Sequence, residues 1–365
     1  MNILRRLPLY RLLLLIGLVL VAGISATAIA LALGSGSKPP ARPLAQAVHD
    51  ALMAPAVEGV SANIKLTNNL IEGASLASGS SQGSEVASSP LLAGGSGRLW
   101  IAKDGRARLE LQAEKGDTQV IYDGSTLTVY DASSNTLYRY KPPASKTPST
   151  PSTSQSHEVP SVAKIEEAID HINKHATLSG ATPDNIAGAP AYTVRVSPKQ
   201  SGSLLGGAEL SFDAANGAPL RAAIYSSTSS SPVLELAATE VSFGPVSDSV
   251  FSFTPPANAK VEEIAGPSDS ETQSPHTSTP QNKPKITVHG NGPAAIAVVE
   301  SKVPAGKHGS SSALESLPKV TINGTSASEL RTALGTLLTF ERSGVRYVLA
   351  GSDTPAAIEA LARGL

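Results

Sequence analysis

Gly79-Ser80-Ser81-Gln82-Gly83 satisfies the G-x-S-x-G pattern of a serine nucleophile. Such a nucleophile needs a strained turn between a strand and a helix, so that its hydroxyl projects above a sheet. Here the pattern lies in a Ser/Gly-rich stretch from Gly73 to Gly97, where serines are frequent enough to produce it by chance. Gly290-Asn291-Gly292-Pro293-Ala294-Ala295 fits a G-x-G-x-x-A phosphate fingerprint and follows a strand-like run. Another strand-like run comes after it, where phosphate binding requires a helix N-terminus. It reads as a turn. His171 and His175 are four apart on a helical pattern and could share a metal ion. Ile172 occupies the glutamate place of H-E-x-x-H, and the pair flanks an isoleucine stripe, so no metal is expected. The other histidines are scattered, and neither a Ser-His-Asp set nor a carboxylate pair can be assembled. The chain reads as a non-enzyme without a cofactor.

Composition narrows the remaining classes. The 365 residues are 41% hydrophobic, 16% charged and 4% aromatic, with 27 Pro and 31 Gly, and the formal net charge is −1. A nucleic-acid binder concentrates Lys and Arg on one face, and this balance argues against one. With no cysteine there is no disulfide, thiolate metal site, Cys nucleophile or lipidated Cys. Arg5, Arg6 and Arg11 precede an uncharged run from Leu12 through Leu20 to Leu33. As a helix this run spans roughly 33 Å, about one bilayer core. The positive-inside bias puts the arginines in the cytoplasm. Residues 1–35 are therefore expected to anchor a single-pass protein, or to act as a signal segment, with the bulk of the chain outside the cytoplasm.

Beyond it, Leu44, Val48 and Leu52 mark a short amphipathic helix, and Val60, Ala62, Ile64 and Leu66 alternate with polar residues as in a half-buried strand. Asp104-Gly105 and Asp123-Gly124 read as type I′ hairpin turns between strands at 99–111 and 118–131, and 137–140 closes a meander. Val162, Ile165, Ile169 and Ile172 form a helix stripe. Strands resume at 191–196, 208–212, 220–225 and 233–243. Tracts 73–97 and 141–160 read as flexible loops, and 259–284 as a Pro/Ser/Thr-rich linker. The last block, 285–365, has strands near 285–288, 294–300 and 319–323. A capping box Ser326–Glu329 then leads a helix with Leu330, Leu334 and Leu337, followed by a hairpin about Ser343-Gly344 and a helix starting at Pro355. The predicted class is α+β: an antiparallel sheet with two helices over 43–258, and a smaller α+β unit over 285–365.

The segments LAQAVHDAL, GRLWIAKDGRARLEL, TQVIYDGSTLTVYDASSNTLYRY, FDAANGAPLRAAIY and FSFTPPANAKV resemble the outer-membrane lipoprotein carrier (LolA-like) superfamily over about residues 43–258. That resemblance implies an unclosed half-barrel, a curved antiparallel sheet whose apolar concave face is covered by helices. It also implies an acyl-chain or lipoprotein ligand, or, as in relatives that sense envelope state, a protein partner. The family's acyl-contacting arginine has Arg98, Arg106 and Arg108 as candidates. The chain departs from the family in its N-terminal segment, its lack of a lipidated Cys and its additional 285–365 unit.

An apolar cavity on this reading is lined by Ala62, Ile64, Leu66, Leu109, Leu111, Val120, Tyr122, Val129, Val194, Leu220 and Ala222 from the sheet, with Ile165 and Ile169 from the second helix. Small residues at inward positions leave room for a chain whose every buried CH₂ contributes about 0.8 kcal/mol. The leading expectation is a membrane-tethered extracytoplasmic protein that binds an acyl chain of a lipid or lipoprotein. The rival is a protein-binding envelope regulator that contacts its partner through 285–365.

Overall fold

The computed structural model describes residues 37–70, 90–113, 116–142, 159–264, 284–303 and 317–365. Helix α1 (Leu44–Met53) is followed by β1 (Gly59–Asn68) and the short helix α2 (Pro90–Ala93). A meander follows: β2 (Gly95–Ala102), β3 (Ala107–Ala113), β4 (Gly116–Tyr122), β5 (Leu127–Asp131) and β6 (Thr136–Tyr140). Helix α3 (Val162–Ile172) precedes β7 (Ala176–Leu178), β8 (Thr182–Ile186), β9 (Ala189–Pro198), β10 (Leu205–Asp213), β11 (Pro219–Ser226), β12 (Pro232–Phe243) and β13 (Lys260–Ile264). The last part holds β14 (Lys285–His289), β15 (Ile296–Lys302), β16 (Lys319–Ile322), β17 (Thr325–Thr332), β18 (Gly335–Arg342), β19 (Val345–Gly351) and helix α4 (Pro355–Arg363).

These strands make two sheets. The first has thirteen strands in the order β13-β6-β5-β4-β3-β2-β1-β12-β11-β10-β9-β7, with β8 also on β9. It is unclosed. The second has six, in the order β14-β15-β19-β18-β17-β16. Strand makes up 53% and helix 15% of the described residues, so the expected α+β class is corrected to a mostly β protein. The misreading is clearest at 326–337. Leu330, Leu334 and Leu337 have helical spacing, but the chain folds back at 332–335 and Leu330 pairs with Leu337 across β17 and β18. A tight hairpin can place apolar residues seven apart as readily as two helical turns can.

The expected N-terminal anchor, with Leu12, Leu20 and Leu33, lies outside the described residues, as do the G-x-S-x-G pattern and most of each flexible tract. Among the described residues no helix is long and apolar enough to cross a membrane, and the single-pass membrane assignment is corrected on that finding.

Local chemistry places the element ends. The Ser161 hydroxyl accepts from Lys164 N at the start of α3, and Thr354 Oγ1 accepts from Ala357 N at the start of α4. Each thereby satisfies an N–H that has no helical partner. Gly105 and Gly124 have positive φ but Asp104 and Asp123 do not, so these hairpins are not type I′. At 102–106, Ala102 and Arg106 enclose a three-residue loop with Gly105 in the left-handed region, the usual longer alternative. Ser343-Gly344 does have both residues at positive φ. Gly290-Asn291-Gly292 opens a single 3-10 turn that runs into β15, so no helix N-terminus faces a phosphate there.

Helix α4 seals one face of the second sheet, where Val298, Leu338, Leu349, Ile358 and Ala362 are fully buried. The first sheet is interlocked with the second by Leu204 N donating to Ser352 O, Ala333 N to Leu70 O and the Ser203 hydroxyl to Ser352 O. Leu338→Ala is expected to cost about 2–5 kcal/mol in urea unfolding. Leu210→Ala, at a position 39% exposed, should cost less than about 1 kcal/mol. Equal losses would show that the face carrying Leu210 is covered.

Candidate functional site

Residues directly opposite each other in antiparallel strands share a face, so register shows which side chains are brought together. One row runs Val241, Ala62, Leu99, Leu109, Val120 and Val129 across β12, β1, β2, β3, β4 and β5. A second runs Leu66, Leu236, Ala222, Leu210 and Val194 across β1, β12, β11, β10 and β9. The expected lining thus does occupy one apolar face. A β-bulge at Thr239 of β12, opposite Asn63 and Ile64, keeps Ala238 and Leu236 on the same face as Val241.

About Leu111 that face is packed. Ala62, Ile64 and Leu111 form one buried cluster, sealed by Leu66, Leu91 from α2, Leu99, Leu109, Leu236, Ala238 and Val241. Leu111 is 1% exposed. Val194 belongs to a separate cluster in which Leu44, Ala47 and Ala51 of α1 meet Tyr192 and Phe212. Leu220 is buried, Ala222, Val120 and Val129 are half-buried, and the Tyr122 hydroxyl donates to Gly124 O. On α3, Ile165 is buried and Ile169 half-buried. The uncovered part lies farther along, where Val196 and Leu210 are exposed.

The opposite face of the same sheet is polar. Glu209 accepts from Arg195 Nη1 at 3.0 Å, Arg221 Nη1 at 2.8 Å and the Tyr225 hydroxyl at 2.7 Å, while Arg221 also pairs with Glu235. The Arg195 guanidinium lies 4.2 Å from the Tyr225 ring centroid. Partial burial pushes the Glu209 carboxyl up, but the bonds from Arg221, Tyr225 and Arg195 outweigh it and hold the carboxyl below its ordinary value. Arg98 and Arg108 belong to this face as well, since they alternate with Leu99 and Leu109. Arg108 pairs with Glu110 at 2.6 Å, and Arg106 pairs with Asp104 and Asp248. None of the three candidate arginines reaches the apolar face.

Among the described residues no helix covers the other face of the second sheet, which is apolar and which periodicity placed on strands but did not single out. Register puts Ile286 and Val288 of β14 beside Val299 and Ala297 of β15, then Val348 and Ala350 of β19, then Leu337 of β18. All of these side chains point away from the α4 face. Ile286 and Val288 are each 64% exposed, and β14 is the sheet's edge. Among the described residues no strand pairs with its outer side, so a row of backbone N–H and C=O groups there has no ladder partner.

His171 and His175 sit with ring centroids 6.3 Å apart. Among the described residues no group of three or more His, Cys, Asp or Glu side chains could hold a metal.

No family model matches the chain, and no curated protein does. Solved structures that resemble it include MucB in complex with MucA(peri), at 14% identity and a TM-score of 0.42, covering 87% of this chain and 94% of that one. The MucA/MucB complex of Pseudomonas aeruginosa also has 14% identity, with a TM-score of 0.38 and the same coverage. A LolA-superfamily protein of Nitrosomonas europaea has 11% identity and a TM-score of 0.19, covering 87% of this chain and 97% of that one. Likenesses this distant establish neither a shared fold nor a shared role.

The Glu209 ladder carries a sign that can be measured. Its stabilisation is present above the ordinary carboxylate range and is lost as pH falls through the lower value of the folded state. Wild type should therefore lose more stability than Glu209→Gln between about pH 6 and pH 3 in denaturant titrations. A difference that stays constant over that range would show that Glu209 is not held ionised by its partners.

Proposed function

We propose that this chain is a non-catalytic protein-binding module that holds a partner at the free edge and uncovered face of the 285–365 sheet. The observation that carries the reading is the exposure of Ile286 and Val288 on edge strand β14. An incoming extended segment satisfies two needs together. Its backbone pairs with the free N–H and C=O groups of β14, and its alternate side chains cover Ile286 and Val288. An acyl chain meets only the second need, because it carries no hydrogen-bonding groups along its length.

The packing of the first sheet's apolar face about Leu111 supports the same choice. A site for an acyl chain needs an apolar hollow, and Ala62, Ile64 and Leu111 are instead packed against their neighbours. Closed core clusters of this kind serve to hold the scaffold.

The test places a photo-crosslinking side chain at position 288 of the full chain in its source cells, with position 104 in an exposed hairpin turn as control. A discrete protein adduct is expected at 288 and not at 104, and Ile286→Asp should reduce it at least tenfold. Because Ile286 is exposed, that variant should keep wild-type stability to within about 0.5 kcal/mol. Adducts to lipid alone, or equal adducts at both positions, would overturn the reading.

A further inference from the structure

After β12 the chain crosses the polar face of the first sheet and returns to its edge. The 3-10 turn Asp248–Phe251 places Phe251 against the Arg106 guanidinium, 4.8 Å from the ring centroid, and Arg108 Nη1 donates to Val250 O at 2.8 Å. Phe253 packs on Tyr130 with ring centroids 5.4 Å apart. The strap then ends in β13, which pairs in parallel with β6. Beneath it, register aligns Ile121, Thr128, Arg139 and Glu263 in one row across β4, β5, β6 and β13.

Between the strap and this row lies a cavity of about 370 Å³ whose lining includes Thr128, Arg139, Lys141, Phe251 and Phe253. That volume is within the usual range of small-ligand sites. The two aromatic walls are already held by Arg106 and Tyr130, so little ordering is left to a ligand.

The charges around the cavity are unequally committed. Asp123 Oδ1 accepts from Ser125 N, Ser125 Oγ and Thr126 N within its own turn. Glu263, 71% exposed, lies 3.9 Å from Arg139, a solvated pair that contributes little. Lys141 has no ion-pair partner among the described residues. One cation is therefore free and a second is weakly held, beside the Thr128 hydroxyl and two phenyl faces.

We infer that this cavity is a binding site for a small organic anion, with its charged group on Arg139 and Lys141 and its apolar body against Phe251 and Phe253. A planar guanidinium and an ammonium suit a phosphate or carboxylate group, and charge-assisted bonds of this kind are the strong ones. The inference is independent of the partner surface on β14, which belongs to the other sheet.

Calorimetric titration of the full chain with phenyl phosphate tests it, with inorganic phosphate, benzyl alcohol and phosphatidylglycerol vesicles as further arms. Phenyl phosphate is expected to bind at least tenfold more tightly than inorganic phosphate or benzyl alcohol. Lys141→Glu should weaken it at least tenfold with an unchanged melting temperature, and Arg139→Gln should do the same. Absence of binding at millimolar phenyl phosphate would overturn the proposal. So would equal binding of benzyl alcohol, binding to the vesicles only, or unchanged affinity in Lys141→Glu.

Discussion

The backbone ladder of one very wide sheet is the constraint on which the rest depends. From β13 to β7 each strand is hydrogen-bonded to the next, and every cross-strand pair shares a face. Alternating sequence therefore sorts itself into an apolar side and a polar side over the whole width. Among the described residues the helices that can cover it, α1, α2 and α3, have ten, four and eleven residues. Coverage is consequently uneven, complete about Leu111 and Ile64 and open at Leu210 and Val196.

The polar side is held by a different interaction. Arg195, Glu209, Arg221 and Glu235 come from four successive strands, and each ionic contact bridges neighbouring strands in the ladder. Such a row favours one register, because a slip of one residue would turn every charge into the apolar face. Farther along, the strap from Asp248 to Ile264 takes over the same task with Phe251 and Phe253, and it forms a cavity as it does so.

Among the described residues the second sheet has a single helix for its two faces. Helix α4 buries Val298, Leu338 and Leu349, and the alternation that points these residues inward necessarily turns Val299, Leu337 and Val348 outward. Natural edges are usually blunted by charge or proline. Here Lys285 stands at one end of β14, paired with Glu300, and Ile286 and Val288 on either side of Thr287 are exposed. Among the described residues this apolar face ends in an edge with no paired strand, the surface on which the proposed partner would sit.

Much of this was legible in the residues alone. Alternation located β1, β9, β10, β11 and β12, the Val162, Ile165, Ile169 and Ile172 stripe located α3, and Pro355 located the start of α4, because these signals act over a few neighbouring positions. The shared face of Ala62, Leu109, Val120 and Val129 followed from the same period. Tertiary pairing decided the remainder. Leu330, Leu334 and Leu337 suit either a helix or a hairpin, and only the partners β16 and β18 select the hairpin. Lys260–Ile264 lacks alternation and becomes a strand because β6 offers it an edge. Whether the apolar face is hollow or filled depends on how closely Leu91 and Leu236 approach Ile64 and Leu111, a matter of packing that periodicity does not encode. The strap cavity joins residues 121–141 to 251–263, and a site assembled across more than a hundred residues of chain exists only once the sheet has formed.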